Sequence, residues 1–408
     1  MVDQDSTTVQ LKRVLSLPQV VLYGLGTTIG AGIYALLGEI AEVSGYMAPW
    51  AFVTAALLAL LTALSFARMV ARYPKAAGAA LYIQQGFRSK QLALLCGLLV
   101  IAAGIVSSAA LLNGLVGYAQ DFFPIQPAII ILFTGALIAT VASRGINLSA
   151  WVIALITLVE VGGLTWATVL ASDVVIESWP PAADMSPSNL LASGPMILSG
   201  AVLAFYAYIG FEDMVEIAEE VKEVRYTLPM GILITLGLST LLYLMLVASA
   251  TLAVGPDFLA RSSAPLTDLV AALSNTNPLV MSVIAAFAIL NGALIQLIMA
   301  SRVLYGLASG KLIPEQLASV NKTTQTPLIA TFLAAALTIT LSLIGSLDQL
   351  ARLTSLIILV IFGLVNLSLA ADEQRQRHPH RLIQIQGGLG AAVCLGLALI
   401  AFFEIVND

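Results

Sequence analysis

Apolar residues fall along this chain in runs of about twenty, the length of a helix that crosses a bilayer core, and the segments between them collect most of the charge. Roughly eleven such runs can be placed by length and periodicity, at residues 17–43, 47–70, 92–119, 125–142, 148–170, 190–220, 228–254, 278–308, 327–344, 350–371 and 382–405. Two shorter patterned segments lie between them. Residues 74–86 predict a short interfacial helix carrying Tyr82, and residues 257–273 a non-spanning connection, helical from Pro265 onward. The pattern predicts an all-α polytopic membrane protein.

Two runs break the pattern. Residues 22–38 are apolar enough for lipid yet carry five glycines, with Gly30-Ala31-Gly32 at the centre. Glycine weakens a helix interior, and in lipid every backbone group needs a partner. A break there requires surrounding protein or a water-filled cavity. The freed amides of the second half-helix then suit an anion such as a carboxylate. The alternative is a packing seam, because Gly26 and Gly30 also form GxxxG. In residues 198–213 a lipid-compatible run meets aromatics, Gly210 and the carboxylates Glu212 and Asp213. The broken runs, first and sixth, each head a block of five. An odd unit placed twice must be inverted, and interrupted segments at corresponding positions point to a transporter site.

Composition narrows the class. At 59% hydrophobic and 10% charged over 408 residues, there is too little polar surface to cover a soluble fold. The net charge of −5 says less than the positions of the basic residues. Lys12 and Arg13, Arg68 to Lys90, Arg144, Lys222 and Arg225, Arg302 to Lys322, and Arg375 to Arg381 fall on one side. Glu39, Glu42, Asp121, Asp173, Glu177, Asp184 and Asp257 fall on the other. The positive-inside rule then predicts a cytoplasmic N-terminus, and an odd span count an external C-terminus. The expected organisation is a cytoplasmic segment 1–16, five-span blocks 17–172 and 190–371 around an extracellular loop 173–189, a cytoplasmic loop 372–381, and an additional span in 382–408. No cleaved signal peptide is expected. Cys96 and Cys394 lie in apolar runs and read as packed thiols without metal-ligand spacing.

The motifs themselves carry a resemblance. Gly24-Leu25-Gly26-Thr27-Thr28-Ile29-Gly30-Ala31-Gly32-Ile33-Tyr34 resembles the first-span signature of the amino acid–polyamine–organocation transporters. Phe205-Tyr206-Ala207-Tyr208-Ile209-Gly210-Phe211-Glu212, followed by Ala218-Glu219-Glu220-Val221 and Leu228-Pro229, is similar to their sixth span. Ser301-Arg302-Val303-Leu304-Tyr305-Gly306 and Leu353-Thr354-Ser355-Leu356 through Asn366 match the eighth and tenth. The resemblance implies a five-plus-five inverted-repeat fold with substrate between broken spans one and six. It implies a substrate site at Gly30 whose amides at Ala31, Gly32 and Ile33 meet the substrate carboxylate, while its amine meets carbonyls near Thr28 and Phe205 or Ile209. Tyr206 falls at the family's aromatic gate, with a packing aromatic as the alternative. Ser107 and Ser108 form small polar walls on the third span. Asn291 and Gln296 of the eighth either line the cavity or bridge helices.

Glu160, near the middle of the fifth run, is expensive in hydrocarbon and marks a functional position by default. Proton-coupled relatives carry a lysine at this position. A neutral carboxyl here would donate to a broken-helix carbonyl, which predicts a proton-responsive coupling element, against a permanently protonated structural Glu. The eighth run lacks a central hydroxyl for sodium. Without a carboxylate clearly placed for a second cationic group, the expected substrate is a neutral amino acid, moved across the plasma membrane by alternating access with the proton as coupling ion. A sodium-independent exchanger and a non-transporting receptor or scaffold are the alternatives. Enzyme chemistry has no visible constellation: His378 and His380 share an Arg-rich loop, and HExxH and GxSxG are absent. No cofactor, metal or nucleic-acid partner is expected; membrane lipid surrounds the chain.

Overall fold

A computed structural model describes residues 13, 15–29, 32–75, 78–120, 122, 124–144, 150–178, 192–321, 324 and 326–407, without the side chains of 150–154, 173–178 and 407. Among them the chain is helical apart from short connections, and its only β pairing is an isolated parallel bridge between Leu15 and Val221. The helices are α1 (Leu17–Ile29), α2 (Gly32–Ser44), α3 (Ala48–Arg72), α4 (Gly78–Phe87), α5 (Lys90–Gln120), α6 (Pro127–Ser143), α7 (Ala150–Ser178) and α8 (Gly194–Tyr206). After a 3-10 segment, Phe211–Glu220, come α9 (Val224–Val254), α10 (Pro256–Ala260), α11 (Pro265–Leu273), α12 (Leu279–Ser309), α13 (Leu328–Ile344), α14 (Leu347–Gln374) and α15 (Arg381–Asn407).

Among the described residues, eight apolar helical runs are long enough to cross a membrane, one of them joining α2 and α3 as Gly32–Arg72. Three shorter apolar helices, α1, α6 and α13, accompany them. At 1.5 Å per residue, a helix of α6's length rises about 26 Å, most of a bilayer core. The chain is a multi-span membrane protein. Large side chains such as Phe133, Phe287 and Ile344 stand exposed on outer faces, where a lipid environment, unlike water, accepts them.

The first expected span is two helices, parted at Gly30 and Ala31, which lie outside the described residues. The sixth is α8, a turn through Gly210, and the 3-10 segment. Both broken elements sit at the centre of the bundle; Ile29, Ile33, Phe205, Tyr208 and Phe211 are completely buried. At one end the chain entering α1 is tied to the end of the sixth span. Leu15 N–H donates to Glu220 O (3.0 Å), and Lys222 N–H to Leu15 O (2.9 Å).

The short helix expected between the second and third spans is α4, and one face of it packs into the bundle. Tyr82 and Ile83 of α4 are fully buried, Tyr82 meets Phe66 edge-on at 5.8 Å, and α4 packs against α5 and α14. Its Tyr82, Ile83 and Gly86 fall within about one turn and form a continuous packing face. Helix α15 packs along α14 around a buried amide. Asn366 accepts from Ser65 Oγ (2.6 Å) and donates to Thr62 Oγ1 (2.8 Å) and Phe362 O (2.9 Å). Cys394 joins it as a packed thiol, 3.4 Å from Thr62 Oγ1.

Candidate functional site

The two broken spans touch each other at their breaks. Gly210 has φ +124°, a conformation that favours glycine. A Cβ there would lie 2.2 Å from Thr27 O. Thr27 Oγ1 donates across the gap to Gly210 O at 3.0 Å. On the other side, a Cβ on Gly32 would lie 2.5 Å from Ala207 Cα. Glycine at both positions lets the backbones approach to this distance. The first amides of α2, Gly32 and Ile33 among them, have no carbonyl one turn back, as at any helix start. The last carbonyls of α8, Ala204, Phe205 and Tyr206, are taken up by the tighter turn that follows, from Ala207, Tyr208 and Ile209 N–H, and Tyr243 Oη of α9 lies 2.9 Å from both Thr28 O and Ala207 O.

A cavity opens beside this junction, lined by Thr27, Thr28, Gly32, Ser107, Leu111, Tyr206, Ile209, Gly292, Ile295 and Gln296. Amide donors and helix-end carbonyls meet here with hydroxyls and apolar walls, and none of these residues is charged. Such a site suits a small zwitterion: the positive end of a half-helix dipole favours a carboxylate, and exposed carbonyls favour an ammonium. Thr28 Oγ1 is buried without a protein partner. The Tyr206 hydroxyl lies 2.9 Å from Ser107 Oγ and donates to Ser107 O at 3.1 Å, tying α8 to α5.

Six positions singled out from the sequence, Thr28, Gly32, Ser107, Tyr206, Ile209 and Gln296, line this one cavity. Others stand near it without lining it. Ile33 is buried in the core; Ser108 Oγ donates to Ala293 O at 2.9 Å and joins α5 to α12. The Phe205 ring packs edge-on against Phe362, centroids 5.7 Å apart. Asn291 is directed at Glu160 instead. Gly30 and Ala31 lie outside the described residues. Thr27, Leu111, Gly292 and Ile295 were not foreseen, and only the hydroxyl of Thr27 beside a glycine break offered a signal.

Glu160 of α7 is 1% exposed. Asn291 of α12 approaches its carboxyl, yet neither oxygen has a partner at hydrogen-bond geometry. Its backbone carbonyl accepts from Tyr34 Oη at 2.6 Å. A second cavity shares Ser107, Ile209 and Gln296 with the first and continues along Phe66, Val100, Met299, Thr354 and Phe362 to Glu212, Asp213 and Glu216. Glu212 Oε2 accepts from Gly210 N–H at 2.8 Å, while Asp213 Oδ2 is buried without a partner. Carboxylates are therefore absent from the central cavity and concentrated in the one that adjoins it.

The amino acid permease family profile matches residues 15–407. An uncharacterized transporter of Mycobacterium tuberculosis is 29% identical, over 94% of this chain and 86% of its own length. The branched-chain amino acid permease BcaP of Bacillus subtilis is 28% identical, over 95% of this chain and 88% of the relative. The mitochondrial cationic amino acid transporter 3 of Arabidopsis thaliana is 26% identical over 88% of this chain, which spans 62% of that relative's length.

Proposed function

Since the chain belongs to the amino acid permease family, a transporter family and not an enzyme family, we propose that it carries neutral amino acids across the plasma membrane by alternating access, coupled to protons. The observation that carries the substrate class is the central cavity. Helix-start amides of α2 and helix-end carbonyls flank it, and its ten lining residues include no charged side chain. A zwitterion can be neutralised there by dipoles at both ends, while a cationic side chain would find no counter-charge. The printed name of BcaP, a branched-chain permease, agrees with this reading.

Alternating access is supported by the second cavity, which meets the first at Ser107, Ile209 and Gln296 and so offers a path away from the site toward one face. The basic loops of the sequence support a cytoplasmic reading of the face that holds the Leu15–Val221 bridge. Proton coupling is supported by Glu160, a carboxyl enclosed within the bundle with both oxygens unpaired. A charge in such a place is costly, so a change of protonation there changes the energy of the surrounding conformation.

A second reading is a cationic substrate. It is favoured by Glu212, Asp213 and Glu216 on the adjoining cavity and by the printed name of the Arabidopsis relative. Competition against uptake of labelled leucine separates the two. The neutral reading predicts inhibition by leucine, valine and alanine and little by lysine or arginine; the reverse order would reject it. Glu160→Gln tests the coupling: its uptake is expected to lose the dependence on external pH, and an unchanged pH profile would reject proton coupling through this residue.

A further inference from the structure

Tyr243 belongs to neither broken span, yet its hydroxyl lies 2.9 Å from Thr28 O, at the end of α1, and 2.9 Å from Ala207 O, just past the end of α8. These carbonyls have lost their helical donors at the two breaks, and each needs a partner away from water. One O–H carries one proton for two acceptors. The hydroxyl therefore holds the two carbonyls together as a shared donor, beside the contact of Gly32 with Ala207. The side chain is completely buried and clamped by rings. Phe52 lies edge-on at 5.8 Å and Tyr208 at 5.3 Å between centroids. Its ring is fixed by packing, which leaves the hydroxyl in one place.

The ionisable groups that face Tyr243 are Tyr208 from the sixth-span turn, Tyr34 from α2 and Glu160 from α7. Glu160 itself faces Tyr34 and Asn291. Helix α9, which carries Tyr243, packs against α7, which carries Glu160, so Tyr243 reaches both breaks from a helix that also meets the one bearing the buried carboxyl. We propose that Tyr243 is a positioning residue that fixes the ammonium-binding carbonyls of both broken spans and passes the state of Glu160 to them. The second half of this rests on the proton-coupled reading above; the first half does not. With Glu160 charged, the O–H dipole of Tyr243 is drawn away from the carbonyls, and with Glu160 neutral it settles on them.

The test is Tyr243→Phe in the full chain, reconstituted in proteoliposomes and assayed for leucine uptake at fixed pH and then across pH. Tyr208→Phe is the control, since it loses a buried hydroxyl from the same aromatic cluster whose bonds go to Phe52 O and Thr240 and to neither break. Tyr243→Phe is expected to raise KM about tenfold with the maximal rate held within about twofold, while Tyr208→Phe leaves KM unchanged. It is also expected to flatten the pH profile as Glu160→Gln does, with the double variant no flatter than either. An unchanged KM, or an equal rise in Tyr208→Phe, overturns the positioning role. So does a Tyr243→Phe chain that cannot be recovered folded when Tyr208→Phe can, because the hydroxyl is then a requirement of the fold. A pH-dependent Tyr243→Phe beside a pH-flat Glu160→Gln overturns the link between them. If Glu160→Gln keeps the normal pH profile, proton coupling fails while the fixed-pH KM still decides the role of Tyr243.

Discussion

Replacing Gly32 by alanine adds a single methyl at the contact between the two breaks, and the structure gives its consequence a size. The new Cβ would lie 2.5 Å from Ala207 Cα, 3.1 Å from Ala207 N and 3.2 Å from Ala207 Cβ. Ordinary carbon contacts are about 3.5–4.0 Å, so the breaks must separate by about 1 Å or more. The obstacle is backbone, which cannot rotate aside as a flexible side chain does. Overpacking of this kind costs about 1–3 kcal/mol. Borne by the arrangement that binds substrate, this weakens affinity about five- to 150-fold. The assay is equilibrium binding of tritiated leucine to purified protein, with thermal unfolding measured in parallel to establish that the variant is folded. Gly32→Leu would add bulk inside the cavity as well, so alanine is the sharper probe. A folded Gly32→Ala chain that binds leucine within twofold of the parent would refute the contact between breaks as a determinant of binding.

Gly210→Ala places a side chain at φ +124° and 2.2 Å from Thr27 O. Backbone strain alone costs about 1–3 kcal/mol, and the expected result is a lowered Tm and a reduced yield of monodisperse protein. Tyr206→Phe removes the whole tie between α5 and α8, whereas Ser107→Ala removes its hydroxyl contact and leaves the Ser107 carbonyl as acceptor. Tyr206→Phe is expected to raise KM about fivefold, as the loss of about 1 kcal/mol implies, Ser107→Ala less, and the double variant should do no more than Tyr206→Phe alone. Glu404→Gln removes one partner of Arg352, which is 6% exposed, pairs with Asp348 at 2.9 Å and bonds Ser199 of α8. It should cost about 1–3 kcal/mol of stability, read as a lower Tm with leucine affinity retained.

The fold was legible wherever one helix length of apolar sequence meets polar punctuation. The expected start of α11 at Pro265 coincides with the observed one, because Pro suits the first turn of a helix. The break in the sixth span was marked by Gly210, whose positive φ only glycine adopts readily. Residue types could not reveal which faces meet. Residues 74–86 carry an amphipathic pattern that names a buried face without naming its partner, and only the packing against α5 and α14 supplies it. At the site, positions that touch the cavity through the backbone break were readable from local glycine chemistry: Thr28, Gly32 and Ile209. Ser108 and Asn291 share helices with cavity residues but project toward Ala293 and Glu160, a rotation about the helix axis that a one-residue offset changes by about 100°. Tyr243 offered a signal that was passed over: a phenol in the middle of an apolar run needs a hydrogen-bond partner, and here that partner is the pair of breaks.

The central claim is that this chain binds an amino acid between two broken spans in order to move it. Purified protein in sealed proteoliposomes, given labelled leucine and an inward proton gradient with sodium absent, tests it most directly. The expected result is saturable accumulation of leucine above the external concentration, abolished by a protonophore and shifted to higher leucine concentrations by Gly32→Ala. Saturable leucine binding without accumulation under any imposed gradient would contradict it, and would make the same pocket that of a receptor.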